Sequence, residues 1–252
     1  MLRSVKETFG YDILATDGAI GSVHDFLFDD STWVLRYLVV DTGEWLPGRL
    51  VLLSPVALGQ PQWEGRVLPV SLSREQVRNS PDIRSDKPVS RQYEADLHRY
   101  YAWPVYWGGA DMAGPPSVGV PPGLAEQSAE AQAQGGGLQA QAPGDPHLRS
   151  SKEVAGYDIQ ARDGAIGHVD DFIADFEAWV IRYLVVDTRN WLPGKKVLLA
   201  PDWVRSITWR NASVAVDVER AQVKGSPEYR PEALTREYEA TLYDWYGRPK
   251  YW

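Results

Sequence analysis

The densest apolar run in the chain is "WVLRYLVVD", Trp33–Asp41. Nearly every residue in it is β-branched, aromatic or leucine, a composition that suits a pleated surface and predicts a strand. Alternation puts Trp33, Leu35, Tyr37 and Val39 on one face and Val34, Arg36, Leu38 and Val40 on the other. Both faces are largely apolar, so both are predicted to be covered. Upstream, Tyr11–Ala15 reads as a short strand closed by the turn "TDG". Ala19–Phe28 follows as an extended segment with Ile20, Val23, Phe26 and Phe28 as its apolar positions. Downstream, Pro47-Gly48 suits a type II turn into Arg49–Ser54, and Arg66–Leu72 reads as a further strand. Ser73 and Gln76 stand at the spacing of a capping box that opens a short helix. The period then changes. Tyr93, Leu97, Tyr100 and Tyr101 recur at helical spacing, with Ser90 as the cap, and Tyr238, Leu242, Trp245 and Tyr246 repeat the pattern behind Thr235. Each helix leads into a Pro-containing tail ending in Tyr-Trp, which is expected to pack on the strands.

The duplication is general. Tyr11–Pro55 and Tyr157–Pro201 align without a gap at an offset of 146, with 30 identities in 45 positions. After the matching segments Val77–Asp82 and Val223–Glu228 one residue drops out, and Ser90–Trp107 matches Thr235–Trp252 at an offset of 145. A unit of about a hundred residues implies two whole domains rather than a solenoid. Between them, residues 108–150 are rich in Gly, Ala, Pro and Gln and nearly free of aromatics, the composition of a disordered linker. As a flexible coil it would span roughly 35 Å. Short strands separated by turn residues predict small barrels. The expected fold class is therefore mainly β: two small β-barrels, 1–107 and 151–252, each with a C-terminal amphipathic helix.

Composition narrows the field. A net charge of −8 and a pI near 5.1 argue against a nucleic-acid binder and against docking on anionic lipid, both of which need clustered Lys and Arg. The chain has no cysteine, so disulfides and thiolate chemistry are excluded. No apolar run has the length of a signal peptide or of a membrane span, and a soluble, cytoplasmic protein is expected.

Candidate chemistry is sparse. His24, Asp25, Asp29 and Asp30 are metal ligands by type, but His24 aligns with Asp170, His168 with Ser22 and Asp30 with Phe176. Only Asp25/Asp171 and Asp29/Asp175 are shared. No metal, cofactor or catalytic residue is expected, and a weak cation site on Asp170, Asp171 and Asp175 stays open. Asp41 and Asp187 are expected to bond a loop amide or to pair with Arg49 or Lys195. Phosphate loops and nucleophile elbows are absent. The remaining candidates are surface anchors: Trp45 and Leu46, Trp191 and Leu192 in the loops beside Pro-Gly, and the tail residues Trp107 and Trp252. The Trp-Leu pairs either fold back over the strands or project toward a partner.

The spacing "GxVxDFxxD…WVxRYLVVDT…WLPGxxVLLxP" resembles the PRC-barrel family over roughly residues 5–80 and 151–226. That family includes the cytoplasmic domain of the photosynthetic reaction-centre H subunit and the C-terminal domain of a ribosome maturation factor. Neither a membrane helix nor an RNA-associated barrel is expected ahead of the first repeat, so the resemblance is expected to carry the fold rather than either function. The function expected is a non-catalytic interaction or assembly module with an unidentified protein partner. The two repeats are expected to pair as an intramolecular pseudo-dimer. The alternative implied by the H-subunit resemblance is an accessory to an electron- or proton-transfer complex. It would need buried carboxylates or a pocket at equivalent places in both repeats.

Overall fold

A computed structural model of the chain describes residues 1–81, 89–107, 147–188 and 195–252. It is mainly β, with two multi-stranded sheets and few helices. In chain order the elements are β1 (Leu2–Ser4), β2 (Asp12–Ala15), β3 (Gly18–Asp29), β4 (Leu35–Asp41), β5 (Leu50–Leu53), β6 (Val67–Pro69), α1 (Arg74–Arg78) and α2 (Arg91–Tyr101). The second repeat contributes β7 (Leu148–Ser150), α3 (Ser151–Val154), β8 (Asp158–Ala161), β9 (Gly164–Asp175), β10 (Val180–Asp187), β11 (Lys196–Leu199), β12 (Val204–Thr208), β13 (Ser213–Val216), α4 (Arg220–Gly225) and α5 (Arg236–Tyr246). Most of the linker expected over 108–150 lies outside the described residues, but its last three residues, Leu148–Ser150, are strand.

The first sheet runs β5-β4-β3-β2-β6 and the second β11-β10-β9-β8-β13-β12. Neighbours are antiparallel except β2 with β6 and β8 with β13. The long strands organise both sheets. β3 has twelve residues, yet β2 pairs only with its first half, from Gly18 to Ser22. Its second half would be left with an open edge, which a sheet must cover or pair. The covering strand comes from the other repeat: β7 lies antiparallel along it, with Leu27 opposite Ser150, Phe28 opposite Arg149 and Asp29 opposite Leu148. The exchange is reciprocal. β1 lies along β9 with Leu2 opposite Asp175, Arg3 opposite Ala174 and Ser4 opposite Ile173. A second seam joins the starts of β4 and β10, where Leu35 N–H donates to Trp179 O and Ile181 N–H to Trp33 O, each at 2.8 Å.

The apolar residues of β4 are buried on both faces, with Leu35, Tyr37, Leu38 and Val40 fully inaccessible. Trp33 departs from the expected strand: it takes φ 60°, and Trp179 takes 53°, so both sit in the left-handed region just before their strands. That backbone turns each Trp carbonyl toward the other repeat, where it accepts a hydrogen bond. Around the seam Phe26, Phe28, Phe172 and Phe176 surround the two tryptophans, with Phe28 stacked on Trp33 at 5.4 Å and Phe176 edge-on to Trp179 at 5.3 Å.

The glycine of the GxV motif is required by close approach. At Gly21, φ is 140° and a Cβ would lie 2.0 Å from the Asp41 carbonyl oxygen; Gly167 repeats this against Asp187. The expected strand Arg66–Leu72 shrinks to Val67–Pro69. The equivalent of β12 is reduced in the first repeat to isolated bridges, Leu58 with Val70 and Gln62 with Val67, where Gly59 and Pro61 replace Arg205 and Ile207.

α5 packs on its own repeat, Tyr243 and Tyr246 lying 5.5 and 4.4 Å from the Trp203 ring. Its Trp245, expected on the apolar face, is 49 % exposed and instead donates through Nε1 to Gln222 O on α4. Ser85–Pro146 form a separate unit that holds α2. Within it Ser90 caps the helix, and Tyr101 stacks on Trp103 at 4.2 Å. Tyr100, like Trp245, is exposed.

Candidate functional site

The two aspartates shared in the acidic segment of each repeat are receptors for the exchanged arms. Asp25 Oδ1 accepts from its neighbour Phe26 N–H at 2.7 Å, from Ser151 Oγ at 2.7 Å and from Lys152 N–H at 3.1 Å, while Oδ2 accepts from Ser150 Oγ at 2.5 Å. Asp171 does the same for the other arm, accepting from Ser4 Oγ at 2.5 Å, Lys6 N–H at 3.0 Å and Phe172 N–H at 2.7 Å. Burial pushes the Asp171 carboxyl above its ordinary range, although Ser4, Phe172 and Lys6 all act to lower it. Asp29 closes the β3–β4 turn through Ser31 and Thr32 and ion-pairs with Arg36 at 3.1 Å. Burial works against ionisation there, but these donors outweigh it and hold Asp29 at about 2.

The remaining acidic residues are tied to separate partners. Asp170 pairs with Lys196 at 2.7 Å and Lys6 at 3.4 Å, which overcomes the effect of its burial and lowers its carboxyl. Asp175 accepts from the Met1 amino group at 2.9 Å. Among the described residues no group of three or more acidic or histidine side chains is gathered as a metal would need. Asp41 accepts from the Gly43 amide at 2.9 Å, while Arg49 and Lys195 reach the C-terminal carbonyls of α1 and α4 at Arg78 and Lys224. Asp17 and Asp163 of the two D-G turns accept from the first amides of the same helices.

Of the aromatic candidates, Trp45 is half-buried, with the Arg74 and Arg78 guanidiniums 5.0 and 5.8 Å from its ring. Leu46 is half-buried and its carbonyl accepts from Thr42 Oγ1 at 2.7 Å. Trp191 and Leu192 lie outside the described residues. Trp252 is 48 % exposed, with Arg236 4.4 Å over its ring. Trp107 is half-buried, edge-on to His98 at 4.8 Å and capped by Arg91 at 4.6 Å.

Each helix and tail is knotted by a buried glutamate. Glu239 accepts from Tyr183 OH at 2.7 Å and Tyr251 OH at 2.8 Å and pairs with Arg236 at 3.0 Å. Burial, then the hydrogen bond and charge of Glu239, push the Tyr183 phenol far up. Glu94, its equivalent, accepts from Tyr106 OH and pairs with Arg91 at 3.3 Å. The signals for both features stand in the sequence: "LRSVKE" at Leu2 against "LRSSKE" at Leu148 marks the arms, and R-x-x-E followed by Tyr-Trp marks the knots. The first is short and sits against a linker-like segment, so the pattern of strands and turns passes it over.

No protein-family model matches the chain. Over 73 residues it is 36 % identical to an uncharacterized protein of Deinococcus radiodurans, a stretch that covers 29 % of this chain and 26 % of that protein. The match is thus shorter than one repeat and spans about a quarter of the relative's length. No helix among the described residues is long and apolar enough to cross a membrane.

Proposed function

We propose that the chain is a non-catalytic interaction or assembly module built from two PRC-type barrels, acting in the cytoplasm as an intramolecular pseudo-dimer. The observation that carries this reading is the reciprocal exchange of β1 and β7, which makes each repeat incomplete without the other. A scaffold of that kind offers two related surfaces in a fixed relation, and related surfaces held together gain avidity for a repeated partner. The titratable groups support the same reading. The Asp25, Asp171 and Glu239 carboxylates are occupied by hydroxyls, amides or a guanidinium, an arrangement that holds structure rather than one that moves protons.

The accessory role in electron or proton transfer is a second reading. Glu94 and Glu239 favour it, since they are buried at equivalent places in the two repeats. Each is a single carboxylate already bonded to a phenol and a guanidinium, which leaves the first reading ahead.

Crosslinking of the intact chain in its own cells, read by mass spectrometry, should recover a defined protein partner. Recovery of nothing above a control of equal abundance would overturn the interaction reading. A protease site placed within 108–146 tests the pairing: after cleavage the halves should co-elute, and their separation in native buffer would remove the pseudo-dimer.

A further inference from the structure

Arg36 and Arg182 occupy the same position of the repeated R-Y-L-V-V-D-T run, yet their surroundings differ. Arg36 donates to Asp29 Oδ2 at 3.1 Å and to Thr32 Oγ1 at 3.2 Å. In the second repeat Ala178 replaces Thr32 and offers no acceptor, while Asp175 accepts from the Met1 amino group and from Glu177 N–H. Arg182 is near enough for its charge to help lower the Asp175 carboxyl, after the larger contributions of the Met1 and Glu177 donors working against burial. No hydrogen bond or ion pair reaches the Arg182 side chain among the described residues. Its guanidinium stacks 4.5 Å over the Tyr251 ring, and its Nε is buried without an acceptor.

Arg182 lines a cleft at the seam of the two repeats, of about 80 Å³. Thr32 and Trp33 come from the first repeat; Asp202, Tyr243 and Tyr251 come from the second. We propose that this cleft is a carboxylate-binding site with Arg182 as its anchor. A guanidinium presents a planar fork that matches a carboxylate in two parallel hydrogen bonds. The Tyr251 ring, 4.5 Å from the guanidinium, restrains the Arg182 side chain before a ligand arrives, which lowers the ordering cost of binding. Thr32 Oγ1 already accepts from Arg36, so its own proton is available to donate. The lining carries one cation, Arg182, and one acid, Asp202, and a dianion such as phosphate would meet repulsion that a monoanion meets only weakly. The volume admits a carboxyl group and a few attached atoms, well below the several hundred Å³ of a cofactor pocket. The ligand is thus a short monocarboxylic acid or the carboxylate of an Asp or Glu side chain on another polypeptide.

The test is a titration of the intact chain with sodium acetate, against sodium chloride at matched ionic strength. The reporters are the Arg182 Nε–H and Trp33 indole N–H resonances. Both should shift saturably with acetate and not with chloride. Arg182→Gln should abolish the Trp33 shift, and Arg182→Lys should weaken binding at least tenfold because the fork is lost. Ala178→Thr, at an exposed position, supplies the hydroxyl that Arg36 enjoys and should weaken binding several-fold without unfolding the chain. A blocked glutamate peptide titrated in parallel separates the sources. Binding ten or more times tighter than acetate assigns the site to a partner polypeptide; equal or weaker binding assigns it to a small acid. Identical shifts in acetate and chloride, or an acetate shift that survives Arg182→Gln, would overturn the proposal.

Discussion

Asp30 in the first repeat and Phe176 in the second stand at equivalent positions, each where its strand meets the other repeat's arm. Asp30 accepts from Arg149 Nε at 2.6 Å and His147 Nδ1 at 2.8 Å. Phe176 instead packs edge-on against Trp63 at 5.4 Å and Phe26 at 6.1 Å. Two positions earlier the trade is reversed: Phe28 in the first repeat faces Ala174 in the second. Aromatic bulk has moved by two positions, from the end of the strand into the turn that follows it. The backbone exchange is common to both sides, while one is closed by charge and the other by aromatic packing. What the fold requires at the seam is filled volume under the arm; the chemistry of the filling is free to differ.

The largest effect expected is from a charge in the covered strand. Val185→Asp places an unpaired carboxylate at a site 1 % exposed and should cost about 4 kcal/mol. Because the arms interlock the repeats, calorimetry should still show one transition, shifted down. Two separated transitions would mean that the exchange does not couple them. Next comes the comparison itself. Phe176→Ala should cost about 3 kcal/mol through lost packing and a residual cavity, and this cost should not change with salt. Asp30→Ala should cost about 1–2 kcal/mol, and the loss should shrink in high salt, since Asp30 faces a charged partner. Equal salt response in the two variants would erase the distinction between the sides.

Asp25→Ala and Asp171→Ala should each cost about 2 kcal/mol by leaving arm donors without an acceptor. Hydrogen exchange should then quicken at Arg149 and Ser150 in the first variant and at Arg3 and Ser4 in the second. Quickening on the wrong arm would contradict the pairing. The smallest effect is acid response, and its two parts have opposite sign. Asp171, raised by burial, takes up a proton more readily folded than unfolded, so acidification toward pH 4 relieves a cost in the folded state. Asp29, held at about 2 against an ordinary 3.8, stabilises the fold above pH 4, and that contribution disappears as the pH falls toward 2. After allowance for solvent screening it amounts to about 1 kcal/mol. Asp171→Asn should remove the first part and Asp29→Asn the second, both visible in urea midpoints measured across pH 2–6.

Much of this molecule was legible from local pattern. The run Trp33–Asp41 predicted a strand covered on both faces, found over Leu35–Asp41, and Ser73, Ser90 and Thr235 cap their helices through side-chain oxygens. These features depend on nearest neighbours along the chain, which periodicity records. Trp33 was misread as strand because nothing local signals that its carbonyl must turn to the other repeat. In the acidic segment no role was expected for Asp25, and for Asp171 only a weak cation site stayed open. Asp25 and Asp171 instead bind hydroxyls 125 and 167 residues away, partners that no local window contains.

The sequence by itself determined that there are two homologous units, that they are built mostly of strands, and where their turns and helix caps fall. Tertiary structure alone decided which sheet each arm completes. "LRSVKE" and "LRSSKE" are nearly the same segment and would pair with either long strand on propensity alone. The choice arises because a twelve-residue strand pairs with a four-residue neighbour and leaves half an edge open, and the strand that reaches that edge belongs to the other repeat.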